Sequence, residues 1–276
     1  MSLKISIITI SFNQREYIEE CIKSVLDQQY LDLEYIVMDG DSTDGTKEIL
    51  HAYSDRISKL IIGKDTGPAN ALNKGLEIAT GDIVGFINSD DYLLPGSLNM
   101  LSNVISSHPQ YDVYYGPGYI KDERNGTYQK IFPTLWNVGC FRAGISVIFQ
   151  QSIFIRRALL QDKVKFNERN TTHWDGELLV DLDLQKAKFF RHNVSIGVFR
   201  IYAGTISDTI VGNAYWQKYL KEKDLVDKRI DQSRPGLHTS KVYWWSWIFF
   251  RDFPNLWHRA KRKFISTYQL KSNESK

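Results

Sequence analysis

The first 110 residues alternate between two patterns of hydrophobic and polar positions. Short runs rich in β-branched residues predict buried strands at 5–10, 34–38, 60–62 and 83–87. After each run, apolar residues recur at helical spacing, which predicts an amphipathic helix. Because strands and helices alternate, we expect an α/β fold with a mainly parallel, Rossmann-like central sheet flanked by helices on both faces.

Three of the four predicted strands end in polar segments that carry acids. The strand at 83–87 stops at Asn88, Ser89, Asp90 and Asp91. A solvated turn explains these residues without a ligand, because Asp, Asn and Ser all favour turns. The carboxyl ends of parallel strands, however, meet at one edge of a sheet, where ligands bind. Three acidic strand ends on one edge therefore favour a binding site.

Adjacent carboxylates such as Asp90 and Asp91 repel each other unless a positive charge lies close by. Mg²⁺ and Mn²⁺ prefer oxygen ligands and commonly take one or two carboxylates together with substrate phosphates. The sequence contains no P-loop and no dinucleotide-binding fingerprint. We therefore expect a divalent cation to neutralise a bound diphosphate. Asp39 is a candidate acceptor for a base or ribose, and its alternative role is an Asx turn or helix cap.

The second half of the chain carries another pair of candidate acids. Leucines at helical spacing predict a helix, and Asp175 and Glu177 lie at its amino-terminal end. The helix dipole favours acids at that end, which explains them without catalysis. A strand at 111–115 and a hairpin turn at 123–126 are also predicted, the turn from its Asn-Gly pair. The segment 132–143 has no clean periodicity and is predicted to be an acceptor-side loop.

Six short segments of the first hundred residues form one ordered set. They are ISIITISFN (5–13), VMDGDSTDGT (37–46), DTG (65–67), NKG (73–75), ATGD (79–82) and NSDD (88–91). Together they resemble the family 2 glycosyltransferases of the GT-A fold, the bacterial surface-polysaccharide type in particular. The resemblance implies transfer of a sugar from a nucleotide-sugar, with a UDP-sugar favoured, to a hydroxyl of a glycan or lipid-linked acceptor, with inversion at the anomeric carbon.

The resemblance also implies roles for residues at the predicted sheet edge. Asp90 and Asp91 take the position of the family's metal-binding Asp-x-Asp motif, and Asp91 is the expected direct ligand of Mn²⁺ or Mg²⁺. The family usually has an acid where Asn70 stands, so the contact there differs. Lys74 has an alternative role as an exposed helix lysine. The expected nucleotide-sugar contacts are Thr9, Phe12, Asp39, Asp65, Lys74, Asn88, Asp90 and Arg200.

The segment 173–179 resembles the acidic signature that supplies the family's catalytic base. In register, Asp175 takes the position of the carboxylate that removes the proton from the attacking hydroxyl, and Glu177 is the alternative base. His173 and Trp174 are either a sugar platform or packing residues. The segment 150–157 resembles the stretch that precedes the base, and its two arginines are either phosphate ligands or solvated side chains.

The residues after 240 differ in composition from the rest of the chain. Aromatic side chains crowd the segment 242–257, a basic cluster follows at 258–263, and Pro254 interrupts any continuous helix. Aromatic residues beside a basic cluster are typical of a segment on an anionic membrane, and we expect a peripheral membrane contact through 241–265. The alternatives are packing on the catalytic domain and an oligomer contact. The mildly acidic first 240 residues argue against nucleic-acid binding.

Length and spacing set the remaining expectations. We expect a catalytic domain at 1–210, with a donor half at 1–110 and an acceptor half at 111–210, and a helical extension at 211–276. The two cysteines show no disulfide or metal spacing, and no signal peptide or membrane span is predicted, so we expect a cytoplasmic protein at the inner face of the membrane. The rival functions are a nucleotidyltransferase and a non-catalytic nucleotide-sugar sensor or membrane scaffold.

Overall fold

A computed structural model describes residues 3–162, 164–203 and 213–252 of the chain. The strands alternate with helices through the first hundred residues, as the hydrophobic pattern predicts. The strands are β1 (Ile5–Ser11), β2 (Leu33–Asp39), β3 (Lys59–Ile62), β4 (Ile83–Asn88), β5 (Tyr92–Leu93), β6 (Val113–Tyr115), β7 (Gly118–Asp122), β8 (Thr127–Ile131), β9 (Ile153–Arg156), β10 (Phe189–Arg191) and β11 (Gly197–Ile201).

The central sheet has seven strands in the order β10-β6-β9-β4-β1-β2-β3. Only β9 runs antiparallel to its neighbours, β4 and β6, and every other pairing is parallel. The prediction of a mainly parallel α/β sheet is therefore confirmed. A parallel sheet must be covered on both faces, and two separate clusters of buried apolar side chains lie against it.

A second sheet of four strands, in the order β5-β11-β7-β8, stands beside the first. The predicted turn at 123–126 joins β7 and β8 as an antiparallel hairpin. Strand β5 has two residues and pairs with β11, more than a hundred positions along the chain, so no local pattern indicates it. This sheet supplies one wall of the cavity described below.

The predicted helices of the first half are present, and those of the second half are more numerous than expected. Asn137 caps α5, because its side chain accepts a hydrogen bond from the Gly139 amide, so the prediction of a loop over 132–143 is corrected there. The helices are α1 (Ile18–Leu26), α2 (Thr46–Ala52), α3 (Pro68–Ile78), α4 (Ser97–Ser107), α5 (Val138–Arg142), α6 (Arg157–Asp162), α7 (Trp174–Leu184), α8 (Asn213–Ser233) and α9 (241–252).

Helix α9 packs one face on the protein and exposes the other. Trp244 and Ile248 are buried against Cys140 of α5. A Cβ on Gly139 would lie 2.0 Å from the Trp244 ring, so the glycine is what lets the ring sit against the backbone. The residues from 253 onward, including the basic cluster of the predicted membrane contact, lie outside the described part of the chain. Within that part, no helix is both long enough and apolar enough to cross a bilayer.

Candidate active site

Three parallel strands end together at one edge of the central sheet. The register pairs Ser11 with Asp39 and Ile10 with Asn88, so β1, β2 and β4 end at the same level. A cavity of about 470 Å³ opens at this edge between the two sheets and α7. Its walls include Asn88, Asp90 and Gln150 from the central sheet, Ile120, Ile131 and Phe199 from the second sheet, and Trp174, Asp175 and Tyr215 from α7 and α8.

The adjacent carboxylates of Asp90 and Asp91 lie in different environments. Asp90 is half-buried on the cavity wall, and its Oδ2 lies 3.1 Å from the Tyr202 hydroxyl. Asp91 is fully buried; it accepts hydrogen bonds from Gln151 Nε2 at 2.6 Å and from the Arg200 amide at 2.9 Å. Burial, followed by the charge of Asp90, raises the pKa of Asp91 well above its ordinary value. Both Asp91 oxygens thus accept hydrogen bonds from protein groups, whereas Asp90 lines the cavity, so Asp90 is the more accessible of the two predicted metal ligands.

The predicted base-binding residues separate into an exposed group and a buried group. Phe12 exposes 60% of its surface at the end of β1. A Cβ on Gly40 would lie 3.2 Å from the Phe12 ring and 2.9 Å from Asp65 Oδ2, so all three meet in a tight cleft. An exposed ring beside a carboxylate can stack on a base and accept a hydrogen bond from it.

Thr9 and Asp39 form the buried group. The Thr9 hydroxyl lies 3.0 Å from the Tyr35 hydroxyl within the core, so it does not line a base site in this structure. Asp39 accepts two hydrogen bonds from Ser42, from the amide at 2.8 Å and from the hydroxyl at 2.7 Å. The Asp39 carboxylate therefore has a local structural role, holding the turn at 39–42, although each carboxylate oxygen can accept a further hydrogen bond.

The basic residues predicted at the diphosphate lie elsewhere. Lys74 is exposed on α3, and its ammonium donates to the Lys64 carbonyl at 3.1 Å. Arg156 and Arg157 donate to backbone carbonyls near the amino-terminal end of β4, at the sheet edge opposite the cavity. Because their guanidinium groups are held there, these arginines do not face the predicted phosphate site.

The Arg200 side chain is enclosed by protein instead of facing the cavity. It is 1% exposed, and its guanidinium lies 2.6 Å from Glu20 and 3.2 Å from Glu123. The rings of Tyr17 and Tyr92 lie 5.0 and 4.7 Å from the guanidinium carbon. Two carboxylates and two aromatic faces surround this cation and offset its charge, and Arg200 is enclosed away from solvent, so this arrangement does not support the predicted diphosphate contact.

The two candidate bases also differ in their surroundings. Glu177 is 3% exposed and is held at both oxygens, by Asn167 and Arg229 at Oε1 and by Asn170 at Oε2. Asp175 is half-buried on the cavity wall, and burial raises its pKa. Asp175 therefore presents a carboxylate to the cavity, whereas both oxygens of Glu177 are held by protein groups.

Trp174 and His173, which directly precede Asp175, lie in different surroundings. The Trp174 ring packs at 5.5 Å from Phe166 and 6.0 Å from Phe86 while it also lines the cavity, so it combines packing with a surface for substrate. His173 is buried against Tyr219, and its burial lowers its pKa. His173 therefore packs as a neutral ring.

No role is predicted from the sequence for several residues that complete the site. Gln151, which holds Asp91, lies 60 positions from it, and Tyr202 lies 112 positions from Asp90. Tyr215 reaches the cavity from α8, which the predicted domain boundary at 210 places in the extension. Only contacts between distant segments identify these side chains.

The donor set at the cavity suits a divalent cation with few protein ligands. Within residues 3–162, 164–203 and 213–252, no three His, Cys, Asp or Glu side chains come together as a metal site. Asp90, a carboxylate residue, lines the cavity, and Asn88 and Gln150, whose side chains each carry an amide oxygen, line it as well. Mg²⁺ and Mn²⁺ bound with a nucleotide commonly take one or two carboxylates and complete their shell with phosphates and water, so the residues present fit such an ion.

Comparison with known proteins identifies the family to which the chain belongs. The model of glycosyl transferase family 2 matches residues 6–167, more than half of the chain. The chain therefore belongs to glycosyl transferase family 2, as the ordered motifs predict. The match ends before Asp175, so the family model itself does not reach the candidate base.

Two relatives illustrate the similarity at the level of sequence. The chain is 31% identical over 212 residues to the GalNAc(5)-diNAcBac-PP-undecaprenol beta-1,3-glucosyltransferase of Campylobacter jejuni, covering 72% of this chain and 65% of the relative. It is 46% identical over 90 residues to TuaG of Bacillus subtilis, whose name refers to teichuronic acid biosynthesis, covering 32% of this chain and 36% of the relative. The chain thus spans less than two thirds of either relative.

Solved structures establish the fold. TarS of S. aureus (residues 1–349) in complex with UDP-GlcNAc matches with a TM-score of 0.60 and 22% identity, over 81% of this chain and 70% of that one. The mannosyltransferase PcManGT of Pyrobaculum calidifontis, in complex with GDP-Man and Mn²⁺, matches with a TM-score of 0.59 and 18% identity, over 80% of this chain and 65% of that one. These likenesses confirm the GT-A fold.

Proposed function

We propose that this chain transfers a sugar from a nucleotide-diphosphate sugar to a hydroxyl of a glycan or lipid-linked acceptor, with inversion at the anomeric carbon. The observation that carries the proposal is one cavity that Asp90 and Asp175 both line. Asp90 lies at the sheet edge where α/β folds bind nucleotides, and Asp175 lies across the cavity on α7. The cavity can thus hold a donor and an acceptor together.

The chemistry is a single displacement. The acceptor oxygen forms a bond to the anomeric carbon while the bond from that carbon to the diphosphate oxygen breaks, and the bonding electrons leave with the diphosphate. A carboxylate oxygen of Asp175 accepts the hydroxyl proton, which its raised pKa favours. Because attack comes from the face opposite the leaving group, one step inverts the configuration and needs no covalent enzyme intermediate.

The donor would be held by the cleft at the ends of β1 and β2. Phe12 offers an exposed ring for stacking, and the carboxylate of Asp65 beside Gly40 offers an acceptor for a base or ribose. A UDP-sugar is the favoured donor, in keeping with the UDP-GlcNAc complex of the structurally similar TarS. The relatives named for teichuronic acid and undecaprenol-linked substrates make a surface glycan or its lipid-linked precursor the favoured acceptor.

A divalent cation, Mn²⁺ or Mg²⁺, would bind at Asp90 with Asn88 and Gln150 nearby. When bound, it supplies positive charge that stabilises the departing diphosphate. No basic side chain among the residues the structure describes lines this cavity, and that increases the need for such a charge. The structure of PcManGT includes Mn²⁺, which is consistent with the same choice here.

The exposed face of α9 would bring the enzyme to the cytoplasmic face of an anionic membrane. Val242, Trp245 and Phe250 expose 75%, 46% and 82% of their surfaces, and the sequence continues into the basic cluster at 258–263. Apolar insertion and basic attraction together give reversible binding to anionic lipid. Trp244 and Ile248 stay packed on the protein, so α9 serves both as a docked helix and as a membrane contact.

Co-sedimentation with vesicles tests the membrane contact. A W245S/F250S variant should lose binding to phosphatidylglycerol vesicles, while phosphatidylcholine vesicles should bind neither protein well. L31S serves as the matched control, because it removes a fully exposed leucine that lies just before β2 and outside α9. Equal binding by W245S/F250S and the parent protein would refute the contact.

A panel of nucleotide-sugars, assayed for metal-dependent binding and slow hydrolysis, tests the enzymatic proposal. We expect one donor to bind and hydrolyse faster with Mn²⁺ or Mg²⁺ than with a chelator present. A nucleotide-sugar sensor would bind the donor without hydrolysing it. A nucleotidyltransferase would instead turn over a nucleoside triphosphate, although the loop after β1, Phe12-Asn13-Gln14, lacks the basic, glycine-rich character of a triphosphate loop.

A further inference from the structure

Helix α8 lies beyond the residues that the family model matches, yet it contacts the segment that carries Asp175. Its side chains at 215, 219, 222, 226 and 229 recur at spacings of three and four, so they share one helical face. This face meets the segment 170–177, which lines the cavity at Thr171, Thr172 and Asp175. Helix α8 therefore packs against the segment that forms this part of the cavity wall.

Glu222 makes the first set of contacts. Its Oε2 accepts hydrogen bonds from the amides of Thr171 at 3.2 Å and Thr172 at 3.1 Å, and from the Thr172 hydroxyl at 2.5 Å. Two consecutive backbone amides and a hydroxyl thus converge on a single carboxylate oxygen. Tyr215 donates from its hydroxyl to the Thr172 carbonyl at 3.1 Å, so α8 holds Thr172 at its amide, its hydroxyl and its carbonyl.

Arg229 makes the second set of contacts, one helical turn beyond Val226. Its guanidinium lies 2.7 Å from Glu177 and 3.0 Å from Asp181, both on α7. Glu177 in turn accepts a hydrogen bond from Asn170 Nδ2, and the side-chain oxygen Oδ1 of Asn170 accepts hydrogen bonds from the amides of Thr172 and His173. Arg229 therefore completes a network that holds both ends of the segment 170–177.

We propose that α8 is a positioning element of the active site, in which Glu222 and Arg229 hold the segment 170–177 so that Asp175 faces the acceptor. The inference rests on the proposed function for the role of Asp175. The contacts of Glu222 and Arg229 with the segment 170–177, which we call the clamp, do not depend on that function. Sugar transfer needs the base within hydrogen-bond reach of the attacking hydroxyl. Helix α8 holds the segment that carries Asp175 and so keeps the base in position. The residues proposed to bind the donor lie on other elements and take no part in these contacts.

Hydrogen exchange and kinetics on the full chain test the proposal together. In Glu222→Ala, we expect faster amide exchange at 171–173 and a kcat for transfer that falls roughly 10- to 100-fold, since misplacing a catalytic group by about 1 Å costs on that order. The KM for the donor should be unchanged. Glu222→Gln can keep an oxygen at the three donors, so it should restore slow exchange and most of kcat.

Two further variants complete the test, one as a control on the same helix and one as a milder disruption of the same contacts. Asp224→Ala removes an exposed carboxylate of the same helix, which forms an ion pair with Lys228 at 2.6 Å, and it should change neither exchange nor kcat. Tyr215→Phe removes one hydroxyl with little risk to folding and should also speed exchange at Thr172. Unchanged exchange in Glu222→Ala would overturn the clamp, and faster exchange with an unchanged kcat would overturn its positioning role. If the parent protein transfers no sugar, the proposed function fails, while the exchange result still reports on the clamp.

Discussion

Gln151 Nε2 lies 2.6 Å from Asp91 Oδ2, inside the protein, while the neighbouring Asp90 faces the cavity. The hydrogen bonds to Asp91 tie β11 and the turn before β9 to the segment that follows β4, because the Arg200 amide reaches its other oxygen. One acid of the pair therefore holds the two sheets together, and the other is available to a ligand. Asp91 is the direct metal ligand expected from the sequence, whereas in the structure Asp90 is the acid of the pair that lines the cavity.

Substitution of the two acids should separate stability from metal use. Asp91→Ala should lower the free energy of unfolding by about 2–6 kcal/mol, because two buried donors lose their acceptor at about 1–3 kcal/mol each. Asp90→Asn should keep stability and lose metal-stimulated donor hydrolysis. Urea denaturation and a hydrolysis assay with and without Mn²⁺ measure the two effects. Full metal stimulation in Asp90→Asn would show that the cation binds elsewhere.

Phe12 should contribute to donor binding through its exposed ring. Phe12→Ala should raise the donor Kd by roughly 5- to 100-fold, since stacking on a base contributes about 1–3 kcal/mol. Met100→Ala, which removes an exposed apolar side chain from α4, is the control and should leave Kd unchanged. Titration calorimetry with UDP measures both. An unaltered Kd in Phe12→Ala would place the base away from the end of β1.

His192 should make the protein less stable in acid. Burial lowers its pKa to about 4, and its ring packs on Gly116, where a Cβ would lie 2.1 Å from the ring. The unfolded chain therefore binds this proton more readily than the folded one below pH 6.5, and stability falls as pH drops from 6.5 towards 4, by about 1.4 kcal/mol per pH unit. Urea unfolding at pH 7 and pH 5 measures the loss.

The variant His192→Leu supplies the control for this pH dependence. Leucine does not titrate, so the variant should lose less stability than the parent protein between pH 7 and pH 5. The difference between the two should be about 2 kcal/mol, which corresponds to the 1.5 pH units below the unfolded pKa. The same slope in both proteins would mean that another group controls the acid response.

The sequence predicts the part of the fold that depends on local pattern. The strands that end at Asp39 and Asn88 follow from runs of β-branched residues, and the convergence of their ends follows from the parallel order. The ordered motifs likewise indicate glycosyl transferase family 2, which the match of the family model confirms. These features need only nearby residues or a general rule of topology.

The remainder depends on contacts that no local pattern encodes. Arg200 and Asp91 are 109 positions apart, so neither the burial of Asp91 nor the enclosure of Arg200 between two tyrosines can be read from either segment alone. Glu177 resembles a catalytic acid in sequence, and only Arg229 on α8 and two asparagines reveal that it is held as an anchor. Long-range partners thus decide which acids are available for chemistry.

The most direct test of the account is donor binding and sugar transfer by Asp175→Asn. The variant should bind the donor with an unchanged Kd, because the donor cleft does not include residue 175, and its transfer rate should fall about 100- to 10,000-fold through loss of the general base. Glu177→Gln, the matched control, should retain measurable transfer despite lower stability. Transfer by Asp175→Asn at the rate of the parent protein would contradict the assignment of Asp175 as the base.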